Sequence, residues 1–141
     1  MAHQWVEWGD RVHGGFGSLI ALGVRLGNDA LVQLKAQRRE VLVEYSDGPQ
    51  TPCACVLDGI AVAVSASLGQ RTLKLNDQRT EEGLLARVKF THRQTQQQVV
   101  YELPISVLKR MGEINQGTSP IERFEAVQGI DARELFRIQR P

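Results

Sequence analysis

Cysteine, aromatic residues and long apolar runs are all scarce in this sequence of 141 residues. The two cysteines, Cys53 and Cys55, are separated by one residue, which is too close for an ordinary structural disulfide. The best apolar run, from Gly59 to Leu68, is about half of the roughly 20 residues that cross a bilayer. We therefore expect a fold stabilised by packing alone, with no membrane partner.

An excess of charge of one sign is missing as well. The 17 basic and 16 acidic residues leave a formal net charge of +1, so nothing draws the chain as a whole toward polyanions, and we expect no nucleic-acid partner. The first residues lack the basic and then apolar layout of a secretory signal, which predicts a cytoplasmic protein. Walker-type, dinucleotide-binding and Gly-x-Ser-x-Gly motifs are absent too.

What is present is the composition of one globular domain. Apolar residues make up 42% and charged residues 23%, which is far from the signature of disorder. A chain of this length forms one core by default, and no linker or repeat divides it. We therefore predict a single domain over residues 1–141.

Three helices are predicted in the first half of the chain. Residues 3–12 carry apolar positions at helical spacing, and Ser18 is a candidate N-cap for a helix that runs to about Gln37. A third helix, from about Val56 to Leu68, is small and apolar, with Gly69 as its left-handed cap. Gly23 and Gly27 of the second helix need a close neighbour to offset their poor helix propensity. We expect the Ala and Ser face of the third helix to cross them.

Strand patterns alternate with these helices and continue after them. Strands are predicted over residues 40–45, 72–75, 84–91 and 97–103, with the last two forming a hairpin. Pro104 is expected to end the sheet, and three further helical segments follow, at about residues 105–111, 120–127 and 132–138. The fold class predicted is therefore α+β, with an antiparallel sheet packed against a pair of closely crossing helices.

The most promising chemistry lies at the start of the third helix. Cys55 stands where free amide groups and the helix dipole favour a thiolate, and Asp58 follows one turn later. Such a pair suits metal binding or a reactive thiol. The alternative is a small buried cysteine and a first-turn carboxylate that satisfies amides.

A second candidate is His13, which directly precedes a glycine-rich turn. Glycines there let backbone approach a ligand and present amides to an anion near a helix start, so Gly14, Gly15, Gly17 and Ser18 are candidate ligand-binding residues. A histidine beside a turn is also commonly structural or solvent-facing. The same alternative applies to His92 in the hairpin.

Cys53 and Cys55 also form a Cys-x-Cys pair. The pair could serve redox chemistry or zinc binding, but zinc sites usually use about four ligands and no other cysteine exists in the chain.

Several segments, in order, resemble the FmdE family, which takes its name from formylmethanofuran dehydrogenase. Residues 13–23 resemble its His-Gly-His-x-Cys-Pro-Gly-x-x-x-Gly signature in part. Residues 55–60 resemble its Cys-x-x-Asp-Gly-Ile-Gln segment, and residues 67–73 its Thr-x-Gly-Lys-x-x-Leu segment. Residues 88–91 resemble the strand that follows, so that the likeness covers about residues 5–103.

The resemblance implies an α+β domain, a homodimer and a divalent transition metal such as zinc. Carried over residue by residue, it implies metal ligands at His13, Cys55 and Asp58 only. The second histidine, the cysteine and the proline of the signature, and the glutamine after Asp-Gly-Ile, are replaced by residues that ligate weakly or not at all: Gly15, Gly17, Ser18 and Ala61. Losing a thiolate and an imidazole weakens a zinc site.

Three functional hypotheses follow. The first is an accessory protein that binds a divalent metal or a small-molecule ligand and is associated with formylmethanofuran dehydrogenase or one-carbon metabolism. The second is an enzyme that uses metal-bound water or the Cys55 thiolate, with His13 as ligand or acid/base and Asp58 orienting it. The third is a dimeric scaffold with a degenerate site, which the replacements at Gly15, Gly17 and Ala61 support. Family membership alone does not specify a reaction.

Overall fold

The computed structural model describes all residues from 1 to 141 and contains five α-helices and a five-stranded sheet. The helices are α1 Ala2–His13, α2 Ser18–Gln33, α3 Cys55–Val64, α4 Ser106–Asn115 and α5 Pro120–Gln128. The strands are β1 Val41–Asp47, β2 Leu73–Leu75, β3 Leu84–His92, β4 Gln98–Pro104 and β5 Arg137–Gln139. The α+β class predicted from the sequence is confirmed.

The sheet has the order β2-β1-β3-β4-β5 and is mixed. Strand β3 is antiparallel to β1 and β4, as predicted, and Val43 of β1 pairs with Phe90 of β3. Strand β5, which was not predicted, is antiparallel to β4. The sheet is thus mostly antiparallel, and β2 is the exception because it pairs parallel with β1. Helix α3 explains this pairing, because it is the crossover that parallel neighbours require.

Strand β1 shows how the sheet builds the core. Val41, Val43 and Tyr45 are buried and alternate with more exposed residues, so one face of the sheet packs inward. Apolar residues of α2 and α3 join the same cluster. Burying one such face at about 25 cal/mol per Å² is the main force that holds the helix pair on the sheet.

Helices α2 and α3 cross at glycine, as predicted. A Cβ atom added to Gly23 would lie 2.1 Å from the carbonyl oxygen of Val56, and one added to Gly27 would lie 2.7 Å from Cβ of Ala63. Gly59 of α3 is the reciprocal contact, since its Cβ would lie 2.2 Å from the carbonyl oxygen of Ile20. The two backbones therefore touch directly.

Some helix boundaries differ from the sequence prediction. Helix α2 stops at Gln33 rather than Gln37, because Lys35 adopts a left-handed φ of 50°. Helix α3 ends at Val64, and Ser65, with φ 56°, is its left-handed cap in place of Gly69. Gly17 rather than Ser18 is the N-cap residue of α2.

The C-terminal segment also differs from the prediction. Helices α4 and α5 are confirmed, but residues 132–138 form a short 3₁₀ turn, Ala132–Glu134, and the start of β5. The sheet therefore does not end at Pro104, since β5 returns to pair with β4 through Tyr101 and Ile138. Arg25 fixes this return by donating hydrogen bonds to the carbonyl oxygens of Val127 and Ile130. None of the helices combines the length and apolar character needed to cross a membrane.

Candidate functional site

The end of α1 and the start of α3 lie side by side, which brings the predicted site residues together. His13 is the last residue of α1 and Cys55 the first of α3. The His13 Nδ1 atom lies 2.7 Å from Oδ2 of Asp58, one turn into α3. The side chains of His13 and Asp58 are 30% and 41% exposed, so this hydrogen bond is formed at the surface.

A cleft of about 320 Å³ opens at this place. Its polar lining consists of His13, Cys53, Cys55 and Asp58. Its other walls are apolar and come from α3, the following turn and β2: Ala54, Leu57, Leu68, Leu73 and Leu75. The volume is at the lower end of the range for small-molecule sites, about 300–1,000 Å³.

The two cysteines are free thiols with their sulfur atoms 3.0 Å apart. Burial raises the pKa of Cys55 to about 12, and the hydrogen bond and charge of Cys53 and the charge of Asp58 add to this effect. We expected the helix start to favour a thiolate at Cys55; desolvation and these neighbours outweigh the helix dipole. Without a cation, Cys55 is a protonated thiol at neutral pH.

The hydrogen bond to Asp58 defines what His13 can do. When Nδ1 carries the proton and donates it to Asp58, the lone pair of Nε2 is free to bind a metal or to accept a proton. Metal-binding histidines are commonly oriented by a carboxylate in this way. Asp58 is therefore placed to orient His13 as well as to act as a ligand itself.

Two buried polar groups of β1 lack hydrogen-bond partners. The hydroxyl of Tyr45, on the buried face of β1, and Oδ1 of Asp47 make no hydrogen bond. Burial, followed by the charges of Asp47, Cys53 and Cys55, raises the pKa of Tyr45 above its usual value.

The glycine turn does not line the cleft. Gly14, with φ 84°, ends α1 in a left-handed conformation, and a Cβ at Gly14 or Gly15 would meet nothing within 4 Å. Ser18 is fully buried: its Oγ donates to the carbonyl oxygen of Met111 at 2.6 Å, and its amide donates to Asn115 at 2.8 Å.

A Cβ at Gly17 would likewise meet the side chain of Asn115. None of Gly14, Gly15, Gly17 and Ser18 lines the cleft, and the last two form the contact of this turn with α4. That these residues bind a ligand stays a prediction.

His92 is structural too. It is buried at the end of β3, and its Nδ1 accepts hydrogen bonds from the amides of Gln94 and Thr95, 3.1 Å and 3.4 Å away. It closes the hairpin and lies apart from the cleft lining. The structural alternative for this histidine is thus supported.

The donor types in the cleft suit a thiophilic or borderline cation, because thiolate sulfur and imidazole nitrogen are preferred ligands of zinc and similar ions. The donors form two hydrogen-bonded pairs, Cys53 with Cys55 and His13 with Asp58. No three His, Cys, Asp or Glu side chains in the chain already converge as a metal site. The residues fit such an ion by type: Nε2 of His13 is free while Nδ1 is bonded to Asp58, and the two sulfur atoms need to move apart to bind one ion.

The fold and the cleft together define a small α+β protein with a thiol- and imidazole-lined site between two helix ends. Comparison with known families places it further: residues 12–130 match the model of a family described as FmdE, Molybdenum formylmethanofuran dehydrogenase operon. The chain belongs to the FmdE family. The match continues through α4 and α5, so most of the segment after residue 103 also belongs to the matched family domain. A search of curated proteins gave no match.

Proposed function

We propose that this protein is an accessory member of the FmdE family that holds a divalent transition metal, such as zinc, in the cleft of His13, Cys55 and Asp58. The observation that carries the proposal is the convergence of these side chains, from the ends of two helices, on one cleft. The family description supports an association with formylmethanofuran dehydrogenase or one-carbon metabolism.

The apolar walls of the cleft support a second part of this proposal, a small-molecule ligand beside the metal. Leu68 is 75% exposed and Leu75 48% exposed, so two leucines stand in water at the rim. A ligand with an apolar body and one anionic, metal-binding end would cover these side chains while that end bound the metal. Covering such surface is favourable by about 25 cal/mol per Å².

Metal analysis tests the proposal directly. Protein purified without a histidine tag is incubated with zinc and desalted, and its zinc content is compared with that of His13→Ala and Cys55→Ala. We expect one zinc per chain in the parent and a large loss in both variants, whereas His3→Ala, which alters an exposed histidine outside the cleft, retains the parent value. Equal zinc in all four proteins would remove these ligands from consideration.

A dimeric scaffold without a bound metal is the second candidate. The replacement of signature residues by Gly15, Gly17 and Ala61 favours it, as does the lack of a ready three-ligand cluster. Trp8 and Val12 of α1 are 38% and 57% exposed and border a cleft with Ala61 and Val62 of α3, which offers an apolar surface for a second copy. A tight dimer in sedimentation experiments, together with no zinc binding, would favour this function over the first.

A further inference from the structure

Cys53 lies outside the set of ligands that the family signature supplies, yet its sulfur is 3.0 Å from that of Cys55. A disulfide has an S–S bond of about 2.05 Å, so the two atoms are not bonded. Two sulfurs bound to one tetrahedral zinc ion, with bonds of about 2.3 Å, lie about 3.8 Å apart. An outward movement of less than about 1 Å therefore converts this pair of thiols into two ligands of one cation.

Hydrogen bonds anchor the segment before Cys53 and so keep the Cys53 side chain close to Cys55. Arg79 donates to the carbonyl oxygens of Gly48 and Thr51, at 2.9 Å each. Thr51 is buried and donates through Oγ1 to the carbonyl oxygen of Leu85 at 2.5 Å. Cys53 follows two residues later, which holds it against the start of α3.

We propose that Cys53 and Cys55 bind one thiophilic divalent cation together, with His13 as the third donor and Asp58 as the residue that positions the His13 ring. The inference rests on the proposed function and adds Cys53 as a replacement for the signature ligands that are missing. Each thiol loses its proton to solvent as its sulfur binds the cation. Sulfur ligands also set the selectivity of the site, which favours zinc, cadmium or cobalt over magnesium or calcium.

Site-resolved alkylation tests this assignment without altering the chain. Reduced, metal-free protein is treated with iodoacetamide for a short time, alone and with one equivalent of Zn²⁺ or Mg²⁺, and the labelling of each cysteine is read by mass spectrometry. We expect Zn²⁺ to slow the labelling of both Cys53 and Cys55 by at least about tenfold, because a bound sulfur is a poor nucleophile. Mg²⁺ should change neither.

Cobalt provides a second readout. Co²⁺ bound to thiolates gives sulfur-to-metal charge-transfer absorption, and we expect Cys53→Ser and Cys55→Ser each to lower it to about half. Asp58→Asn should keep this absorption but weaken Co²⁺ binding by about 10–100-fold, as expected of a positioning residue. Circular dichroism checks that each variant is folded.

Zinc that protects Cys55 while Cys53 is labelled at its metal-free rate would overturn the role of Cys53 and leave the proposed function intact. Zinc that binds but protects neither thiol would overturn the dithiolate. If no zinc or cobalt binds, the proposed metal function fails together with this inference.

Discussion

The middle and the first turn of helix α3 differ in how closely their residues are packed. Along its length, Gly59 and Ala63 press against Gly23 and Gly27 of α2 with no room for another atom. At its first turn, Cys55 and Asp58 face an open cleft in which each side chain is held only by a partner that can rotate away. The crossing allows a single arrangement, whereas the cleft permits several, so the first is suited to stability and the second to binding.

The largest effect is expected at the crossing. Gly23→Ala places a methyl group 2.1 Å from the Val56 carbonyl oxygen, which is backbone and cannot turn aside. Overpacking that forces backbone shifts costs about 1–3 kcal/mol and occasionally more, and we expect the upper end of this range or beyond. Chemical denaturation measures the loss as a lower midpoint.

Gly112→Ala is the matched control for this change. Gly112 also lies within a helix, α4, but a Cβ there meets nothing within 4 Å. Alanine should therefore stabilise the protein by roughly 0.5–1 kcal/mol through helix propensity. If both alanines raise stability alike, α2 and α3 do not touch as the structure shows.

Sequence reasoning could anticipate the crossing because the requirement is local and severe. Two glycines one turn apart in a helix cost stability unless a second small-residue helix covers them, and the segment after Cys55 was the one candidate. The reciprocal role of Gly59 was missed, since one glycine in an apolar run does not show which residue it faces. The parallel pairing of β2 and the return of β5 were missed for a similar reason: three-residue strands carry too little pattern.

The cleft could be predicted only in part. The helix start and the family resemblance selected His13, Cys55 and Asp58, and the structure brings all three to one place. The composition of the glycine turn suits ligand binding, but it does not reveal that Ser18 is buried by α4, which comes much later in the chain. The raised pKa of Cys55 could not be inferred, since burial and the Cys53 contact arise from tertiary packing.

Tyr45→Phe, which changes a buried side chain of β1 outside the cleft lining, should have the next largest effect. The variant removes a buried hydroxyl that has no partner, so the metal-free protein should gain stability, by up to about 1 kcal/mol. Thermal denaturation in the presence of a chelator measures this gain. A clear loss of stability would instead show that the hydroxyl is hydrogen-bonded in the metal-free protein.

His13→Ala should hardly change stability. The His13 and Asp58 side chains are both partly exposed, and surface pairs of this kind contribute about 0–1 kcal/mol. Urea denaturation of metal-free protein should therefore give midpoints close to the parent value. A loss of stability comparable to that of Gly23→Ala would mean that the His13–Asp58 contact stabilises the fold as strongly as the α2–α3 crossing does. The two regions would then not differ in this respect.

The last expected effect, which is absent at neutral pH, is the alkaline pH dependence that Cys55 contributes. Its folded-state pKa is raised from 9.0 to about 12, so the unfolded chain loses this proton more readily than the folded one. The stabilisation is fully present below pH 9 and is lost as the pH rises from 9 toward 12. Between pH 8.5 and about 10.5, the free energy of unfolding of metal-free, reduced protein should therefore fall more steeply in the parent than in Cys55→Ala. All other titratable groups are common to the two proteins, so only the difference between the two curves reports Cys55. Parallel curves would show that the Cys55 thiol ionises as easily in the folded protein as in the unfolded chain. The Cys55 sulfur would then be as accessible to water as the Asp58 carboxylate.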